Sequence, residues 1–273
     1  MAYKRILMIQ DISCVGQCSM TVAMPIMSAC GHETCILPTA ILSTHTGGFG
    51  KPQVIHLIDQ LRGFIQHWKE NSITFDAILS GYLGSEASVD LVSMIADELL
   101  HEDGLLIVDP AMADHGKLYS GLSDAYSQKM LDLCRKADII IPNVTEAAMM
   151  ADLPYQAELD SLYISEILAR IGHACVVLTG VGYEKGRTGI ILHENGETYH
   201  YTHDRLDKNF HGTGDMFAAA FTGAMMQGKQ KQDAVRIAAD FVAKCIYLTA
   251  KNPAHWYGVK FEEALPDLIR MLQ

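Results

Sequence analysis

The run His211-Gly212-Thr213-Gly214-Asp215-Met216-Phe217 joins two kinds of chemistry in one short segment. Its glycines let backbone amides approach an anion closely, and the small apolar residues that follow begin a helix whose unpaired N–H groups and positive dipole end favour negative charge. Asp215, at that helix start, has two readings. As an N-cap it would accept a hydrogen bond from a first-turn amide. As a general base it would take the proton of a substrate hydroxyl while the amides hold the charge developing on a transferring phosphoryl group.

Further polar residues follow apolar runs elsewhere: Asp11, Asp109 before Pro110, Asn143 with Glu146, and Thr179 with Gly180. If those runs are strands of one open α/β sheet, all of these residues line the crevice outside the strand carboxyl ends, where such sheets bind ligands. Asp109 and Glu146 offer oxygen donors of the kind Mg²⁺ takes while keeping several waters. Asn143 with Glu146 three residues on is also a capping box, and the two roles are compatible. Tyr82, in Ser80-Gly81-Tyr82-Leu83-Gly84, reads equally as a half-buried loop aromatic, and His45 is one of 12 histidines and says little alone. The sequence holds no G-x-x-x-x-G-K-[ST] loop, no G-x-G-x-x-G after the first apolar run and no G-x-S-x-G elbow. These absences argue against a P-loop kinase, a dinucleotide dehydrogenase and a serine hydrolase.

The elements that must position these residues follow from the hydrophobic pattern. Short runs rich in Ile, Val and Leu at 5–9, 35–37, 77–79, 105–108, 139–141 and 175–178 suit strands buried on both faces. Between them, 53–69, 87–100, 123–135 and 161–171 read as helices, so the chain repeats βαβ units. The rhythm changes after Leu178. Strand-like 188–193 and 197–203 flank Asn195-Gly196, the strongest short hairpin signal, and predict an antiparallel pair. Helices are expected over 216–227, 230–250 and 260–272. The expected fold class is α/β: three layers, α/β/α, with a mostly parallel central sheet and an antiparallel hairpin at one edge. No repeat, low-complexity segment or linker divides the chain, so residues 1–273 are expected to form one domain.

Composition bounds the function. With 32 acidic against 21 basic residues the net charge is −11, which opposes a cationic nucleic-acid footprint. Seven cysteines at irregular spacing suit neither a disulfide scaffold nor a zinc finger. The N-terminal apolar run, Ile6 to Ile9, is too short for a signal-peptide core, and no stretch reaches the length of a membrane span. A reducing cytoplasm is the expected location.

Four segments together resemble the ribokinase-like superfamily of small-molecule kinases, and within it the pyridoxal kinase family. They are Ser43-Thr44-His45-Thr46-Gly47-Gly48; Val108-Asp109-Pro110 with Asp114 and Gly116; Ala137-Asp138 through Pro142-Asn143-Val144-Thr145-Glu146-Ala147; and Phe210 through Ala219. The resemblance implies ATP-dependent phosphorylation of the 5′-hydroxymethyl group of pyridoxal, pyridoxine or pyridoxamine. By position, it implies Asp215 as the base and Gly212, Thr213 and Gly214 as the anion hole. Asp109, Asp114, Asn143, Thr179 and Gly180 would lie at the nucleotide, with Glu146, Asp109 and Asn143 serving Mg²⁺. Asp11, Ser13, His45, Thr46 and Tyr82 would face the pyridine ring. The resemblance further implies Mg²⁺ with ATP, a monovalent cation such as K⁺, and a homodimer, with neither nucleic acid nor membrane as partner.

Two departures bear on ring contacts and vitamer preference. The family's serine after the first strand is Asp11 here, with Ser13 two residues later, and the usual Gly-Asn before the first helix is Cys18-Ser19. The Gly-Gly-Ala-Gly run of hydroxymethylpyrimidine kinases is missing from this loop, which favours a pyridoxal-type substrate. The alternatives are a hydroxymethylpyrimidine (phosphate) kinase on the same fold and a non-catalytic regulator that binds a vitamer or nucleotide.

Overall fold

The structure, a computed structural model, describes residues 3–206, 210–252 and 254–273. The first two residues of the N-terminal segment therefore lie outside the described part. Eleven strands and nine α-helices follow in the order β1 (Arg5–Ser13), α1 (Met20–Ala29), β2 (Glu33–Leu42), β3 (Val54–His56), α2 (Ile58–Glu70), β4 (Phe75–Ser80), α3 (Glu86–Leu99), β5 (Leu100–Val108), β6 (Ala113–Asp114), β7 (Lys117–Leu118), α4 (Asp124–Lys136), β8 (Ile139–Ile140), α5 (Val144–Met150), α6 (Ser161–Ile171), β9 (Cys175–Thr179), β10 (Arg187–Glu194), β11 (Glu197–Asp204), α7 (Thr213–Met226), α8 (Lys231–Ala250) and α9 (Leu265–Leu272), among the described residues.

Nine strands form one sheet in the order β11-β10-β9-β8-β5-β4-β1-β2-β3, and β6 with β7 makes a separate small ribbon. Pairing is parallel from β2 through β1, β4, β5 and β8 to β9. The chain leaves β1 for β2 on one side and then returns to β4 on the other. The strand order thus reverses at the β1/β4 junction, the place where a crevice opens at the strand carboxyl ends.

The consecutive apolar runs are explained by burial on both faces. In β1, Ile6 and Met8 enter a core shared with α1, α7, α8 and α9, whereas Leu7 and Ile9 enter one shared with α2 through α6. Three layers result, as the sequence predicts, and the hairpin β10–β11 pairs in register around Asn195 and Gly196.

Three elements differ from expectation. Val54–His56, expected to begin a helix, pair antiparallel with β2, so the sheet has a second antiparallel edge. Two consecutive β-branched residues just after Pro52 favour extended backbone, and the helix waits for Ile58. Helix α1 begins after Cys18-Ser19, where the resemblance implies a first helix, but the hydrophobic pattern hides it: MTVAMPIMSA is apolar nearly all round and carries Pro25 inside, so it shows no amphipathic period. The 260–272 stretch divides into a 3₁₀ turn, Glu262–Ala264, and α9 with Pro266 in its first turn.

Candidate active site

Asp215 lies in the first turn of α7, but it is not the N-cap. That position belongs to Gly212, whose φ of +82° is left-handed and which makes no side-chain cap. A Cβ on Gly212 would come within 2.4 Å of the Gln17 carbonyl oxygen, so the loop after β1 and the start of α7 meet only because this residue is glycine. Gly214, by contrast, faces open space, with nothing within 4 Å of where its Cβ would be. The cap reading of Asp215 therefore gives way to a longer-range contact. Its Oδ2 accepts the backbone N–H of Ser19 at 2.9 Å, across 196 residues of sequence. Burial pushes the Asp215 carboxyl up to about 7; the Ser19 N–H pulls it back and the nearby Asp11 charge pushes it further up.

Asn143 and Glu146 form the expected capping box at the start of α5. The structure adds a partner that the spacing did not reveal. Glu146 Oε1 accepts the N–H groups of Met112 at 2.9 Å and Ala113 at 3.3 Å, while Oε2 accepts that of Asn143 at 2.9 Å. Asn143 Nδ2 donates to the Ala113 carbonyl at 2.8 Å. The pair thereby clamps the loop after β5, where Asp109 Oδ1 accepts from Ala111 N at 3.2 Å. Burial raises the carboxyls of both Asp109 and Glu146, and Asp109 is raised further by the charges of Glu146 and Asp215. These three carboxylates share one field.

Thr179, the last residue of β9, donates its N–H to Pro142 O at 2.9 Å and bridges to Asn143. Gly180 beyond it has a φ of +78° and open space where a side chain would be. Asp114 is placed less centrally. It sits exposed on the β6–β7 ribbon, accepting from His115 N at 2.8 Å, and the ribbon is tied to α5 by Gly116 N donating to Thr145 Oγ1 at 3.1 Å.

At the β1 side, Asp11 and Ser13 are both buried and Ser13 Oγ donates to Asp11 Oδ2 at 3.2 Å. Tyr82, just past β4, is half-buried with its ring 6.4 Å from that of Tyr119. Burial raises the Tyr82 hydroxyl, and Asp11 adds to the rise. His45 accepts from Gly47 N at Nδ1, at 3.0 Å, so its proton sits on Nε2. Its ring lies 4.6 Å from that of His211, and burial together with His211 holds it below the usual histidine range. Thr46, next in the same loop, is exposed.

Two residues at the site, Gln17 and Trp256, were not singled out from sequence, and Ser19 was noted only as a departure bearing on ring contacts. Ser19 and Gln17 come into play through contacts with the Gly212–Asp215 turn, and Trp256 packs 4.7 Å from Phe49 over the same loop as His45. Nothing local marks these contacts, because the partners are far away in the chain. Asp109 and Glu146 are carboxylates in a shared negative field, oxygen donors of the kind a hard divalent cation takes, whereas the Asn143 side chain is engaged within the protein, with Oδ1 accepting from Glu146 N and Nδ2 donating to Ala113 O. Both Glu146 oxygens are already engaged by backbone N–H groups, which suits contact through water rather than direct ligation. Among the described residues no group of three or more His, Cys, Asp or Glu side chains forms a metal cage, and no helix is long and apolar enough to cross a membrane.

Comparison with known proteins adds independent findings. The family described as phosphomethylpyrimidine kinase matches residues 27–259. A pyridoxal kinase structure from Lactobacillus plantarum superposes with a TM-score of 0.89 at 29% identity, covering 99% of this chain and 98% of that one. A Bacteroides thetaiotaomicron protein, provisionally described as a phosphomethylpyrimidine kinase and solved in an orthorhombic form with pyridoxal, gives a TM-score of 0.90 at 32% identity, over 98% and 96% of the two chains. The hydroxymethylpyrimidine/phosphomethylpyrimidine kinase of Haemophilus influenzae is 27% identical over 178 residues, 62% of this chain and 65% of that enzyme's length.

Proposed function

Since the chain belongs to the phosphomethylpyrimidine kinase family and has the ribokinase-like fold, we propose that it is an ATP-dependent kinase for the 5′-hydroxymethyl group of a B6 vitamer, namely pyridoxal, pyridoxine or pyridoxamine. One observation carries the reading: a carboxyl pushed up to about 7 stands at the amide-rich start of α7. An alcohol is a poor nucleophile at neutral pH, and a base whose pKa lies near the working pH combines availability with driving force. With Oδ2 held by Ser19, Asp215 keeps Oδ1 for the hydroxyl proton. As that proton moves, the alcohol oxygen bonds to the γ-phosphorus, the bond to the β-phosphate oxygen breaks, and ADP leaves. The amides of Gly212, Thr213 and Gly214 face the developing charge without needing to reorganise.

Asp109, Asn143 and Glu146 would hold Mg²⁺ through its waters. Bound with the nucleotide, the ion would neutralise phosphate charge. Asp114, Thr179 and Gly180 border the nucleotide side, and Asp11, Ser13, His45, Thr46 and Tyr82 the ring side. A monovalent cation such as K⁺ belongs to the same reading. So do one kinase domain over residues 1–273, a cytoplasmic location, and the absence of nucleic acid or membrane from its partners. A homodimer is supported by apolar surface at one sheet edge, where Val54 and Ile55 of β3 and Phe64 of α2 are exposed. Its mass in solution tests that point.

The second reading, phosphorylation of hydroxymethylpyrimidine or its phosphate, is favoured by the family description and the Haemophilus influenzae relative. A panel of the three vitamers and hydroxymethylpyrimidine with Mg-ATP, read by phosphate incorporation, separates the two. No turnover of any of the four alcohols would refute the kinase reading and leave a non-catalytic binder.

A further inference from the structure

Three segments far apart in the chain close a ring of contacts beside the crevice, and each contact is made at a glycine. The loop after β1 meets the loop between β2 and β3 where a Cβ on Gly16 would come within 2.5 Å of the His45 Cβ, and there His45 donates its N–H to the Val15 carbonyl at 2.7 Å. The second loop meets His211 at Gly47, whose Cβ would lie 2.6 Å from both Nε2 and Cε1 of the His211 ring. The turn that follows His211 returns to the first loop at Gly212, against the Gln17 carbonyl, and the Ser19 N–H reaches Asp215 from that same loop.

A closed cycle of contacts differs from an open chain of them. Moving any one segment breaks two contacts at once, and close packing leaves no void to absorb a shift. The three segments therefore move together or not at all. His211 is the member of the cycle to which the phosphoryl chemistry gives no part. Its ring lies 4.6 Å from that of His45 at an angle of 48°, and the chain runs from it directly into Gly212. It thus ties the loop that carries His45 and Thr46 to the turn whose amides face the phosphoryl group.

We propose that His211 is a positioning residue that couples the ring-side loop to the phosphoryl-side turn, so that the alcohol and the nucleotide each strengthen binding of the other. The inference rests on the reading of the crevice as an alcohol-kinase site. An alcohol that seats the His45 loop presses Gly47 onto His211 and fixes the turn. A nucleotide that orders the turn acts in the reverse direction, and linkage makes the two effects equal. The cost of ordering the cycle is met once for both ligands. Contact of the ring with Gly47 and His45 carries the coupling, so Phe can replace His211, whereas Ala and Asn cannot.

The test is binding without turnover. Calorimetry measures pyridoxine affinity alone and at saturating Mg²⁺ with the β,γ-imido analogue of ATP, on wild type, His211→Ala, His211→Asn and His211→Phe. In wild type the analogue is expected to tighten pyridoxine binding by about 5- to 20-fold, within the usual range of coupling between sites. His211→Ala and His211→Asn should bind pyridoxine alone within about three-fold of wild type but show a gain of less than about two-fold, and His211→Phe should keep most of the gain. Asn fills part of the space and guards against an Ala variant that fails to fold. No gain in wild type, a gain that survives in Ala and Asn, or one lost in Phe as well would each overturn the assignment. Loss of pyridoxine binding by both Ala and Asn in the absence of nucleotide would make His211 a structural residue and overturn it too. Turnover is measured separately. A ring-dependent gain in a protein that phosphorylates none of the four alcohols would sustain His211 and sink the kinase reading; normal turnover with no gain would do the reverse.

Discussion

Asp215→Asn separates chemistry from stability, because the two effects have opposite signs. A positioned base contributes about 10² to 10⁴ in rate, or about 2.7 to 5.5 kcal/mol of barrier. Asn can accept the Ser19 N–H at the same oxygen but cannot take the proton, so kcat at saturating Mg-ATP should fall by two orders of magnitude or more while the nucleotide still binds. Stability should move the other way. The Asp215 carboxyl goes from 3.8 to about 7 on folding, so between those values the folded state binds more protons than the unfolded one. Its contribution is therefore full below 3.8 and lost as pH rises through 7. Three pKa units set an upper limit of about 4 kcal/mol of strain at pH 8, and partial solvent access brings the expectation to about 1 to 2 kcal/mol. Relieving it should raise Tm at pH 8 by about 2 to 6 °C, and the gain should vanish by pH 4. Thermal melts at both pH values and steady-state kinetics supply the two readouts. Activity within a few-fold of wild type would refute the base assignment. A variant less stable than wild type at pH 8 would mean that the charged bond to Ser19 outweighs the burial cost.

Other substitutions probe the frame around that base. Glu146→Gln should lose most activity at limiting Mg²⁺ and regain part of it with excess metal; unchanged metal dependence in a titration would leave Glu146 as a capping residue only. The same variant should lose about 1 to 3 kcal/mol of stability in chemical denaturation, because an amide can offer an acceptor to only one of the two sets of backbone N–H groups. Gly212→Ala should be damaging despite its size, since the left-handed backbone and the Gln17 carbonyl at 2.4 Å leave no room for a Cβ. A drop of more than ten-fold in kcat/KM with a lowered Tm is expected, and near-normal values would show that the turn relaxes freely.

The parallel strands were legible because burial on both faces writes an unbroken apolar run, and the hairpin because Asn195-Gly196 has a defined turn chemistry. The Asn143–Glu146 box was legible for a similar reason: its partners are three residues apart. What stayed hidden depends on distance or on missing contrast. Val54–His56 is too short to show a period, and α1 has too few polar residues to show a face. Asp215 was correctly placed at a helix start, yet its partner Ser19 could not be read from spacing, and the N-cap role went to Gly212. Asp114, central by motif, lies on an exposed ribbon, because motif order fixes position along the chain but not depth.

The site therefore joins elements whose sequence signals are independent. Asp11 and Ser19 come from the first 20 residues, Glu146 from the middle and Asp215 from the C-terminal third, and the β1/β4 reversal brings their charges within reach of one another. Four carboxyl groups so placed all rise above their ordinary values through burial. Such crowding opposes folding, and a chain selected for stability alone would replace some of them by apolar residues of similar volume. Its persistence is accounted for if protons and cations enter with the ligands: a hydroxyl proton for Asp215 and a divalent ion near Asp109 and Glu146. On that view the acidic crevice is unfavourable in the free protein for the same reason that it is useful in the complex, since the proton and the cation that arrive with the substrates neutralise charge that burial makes costly.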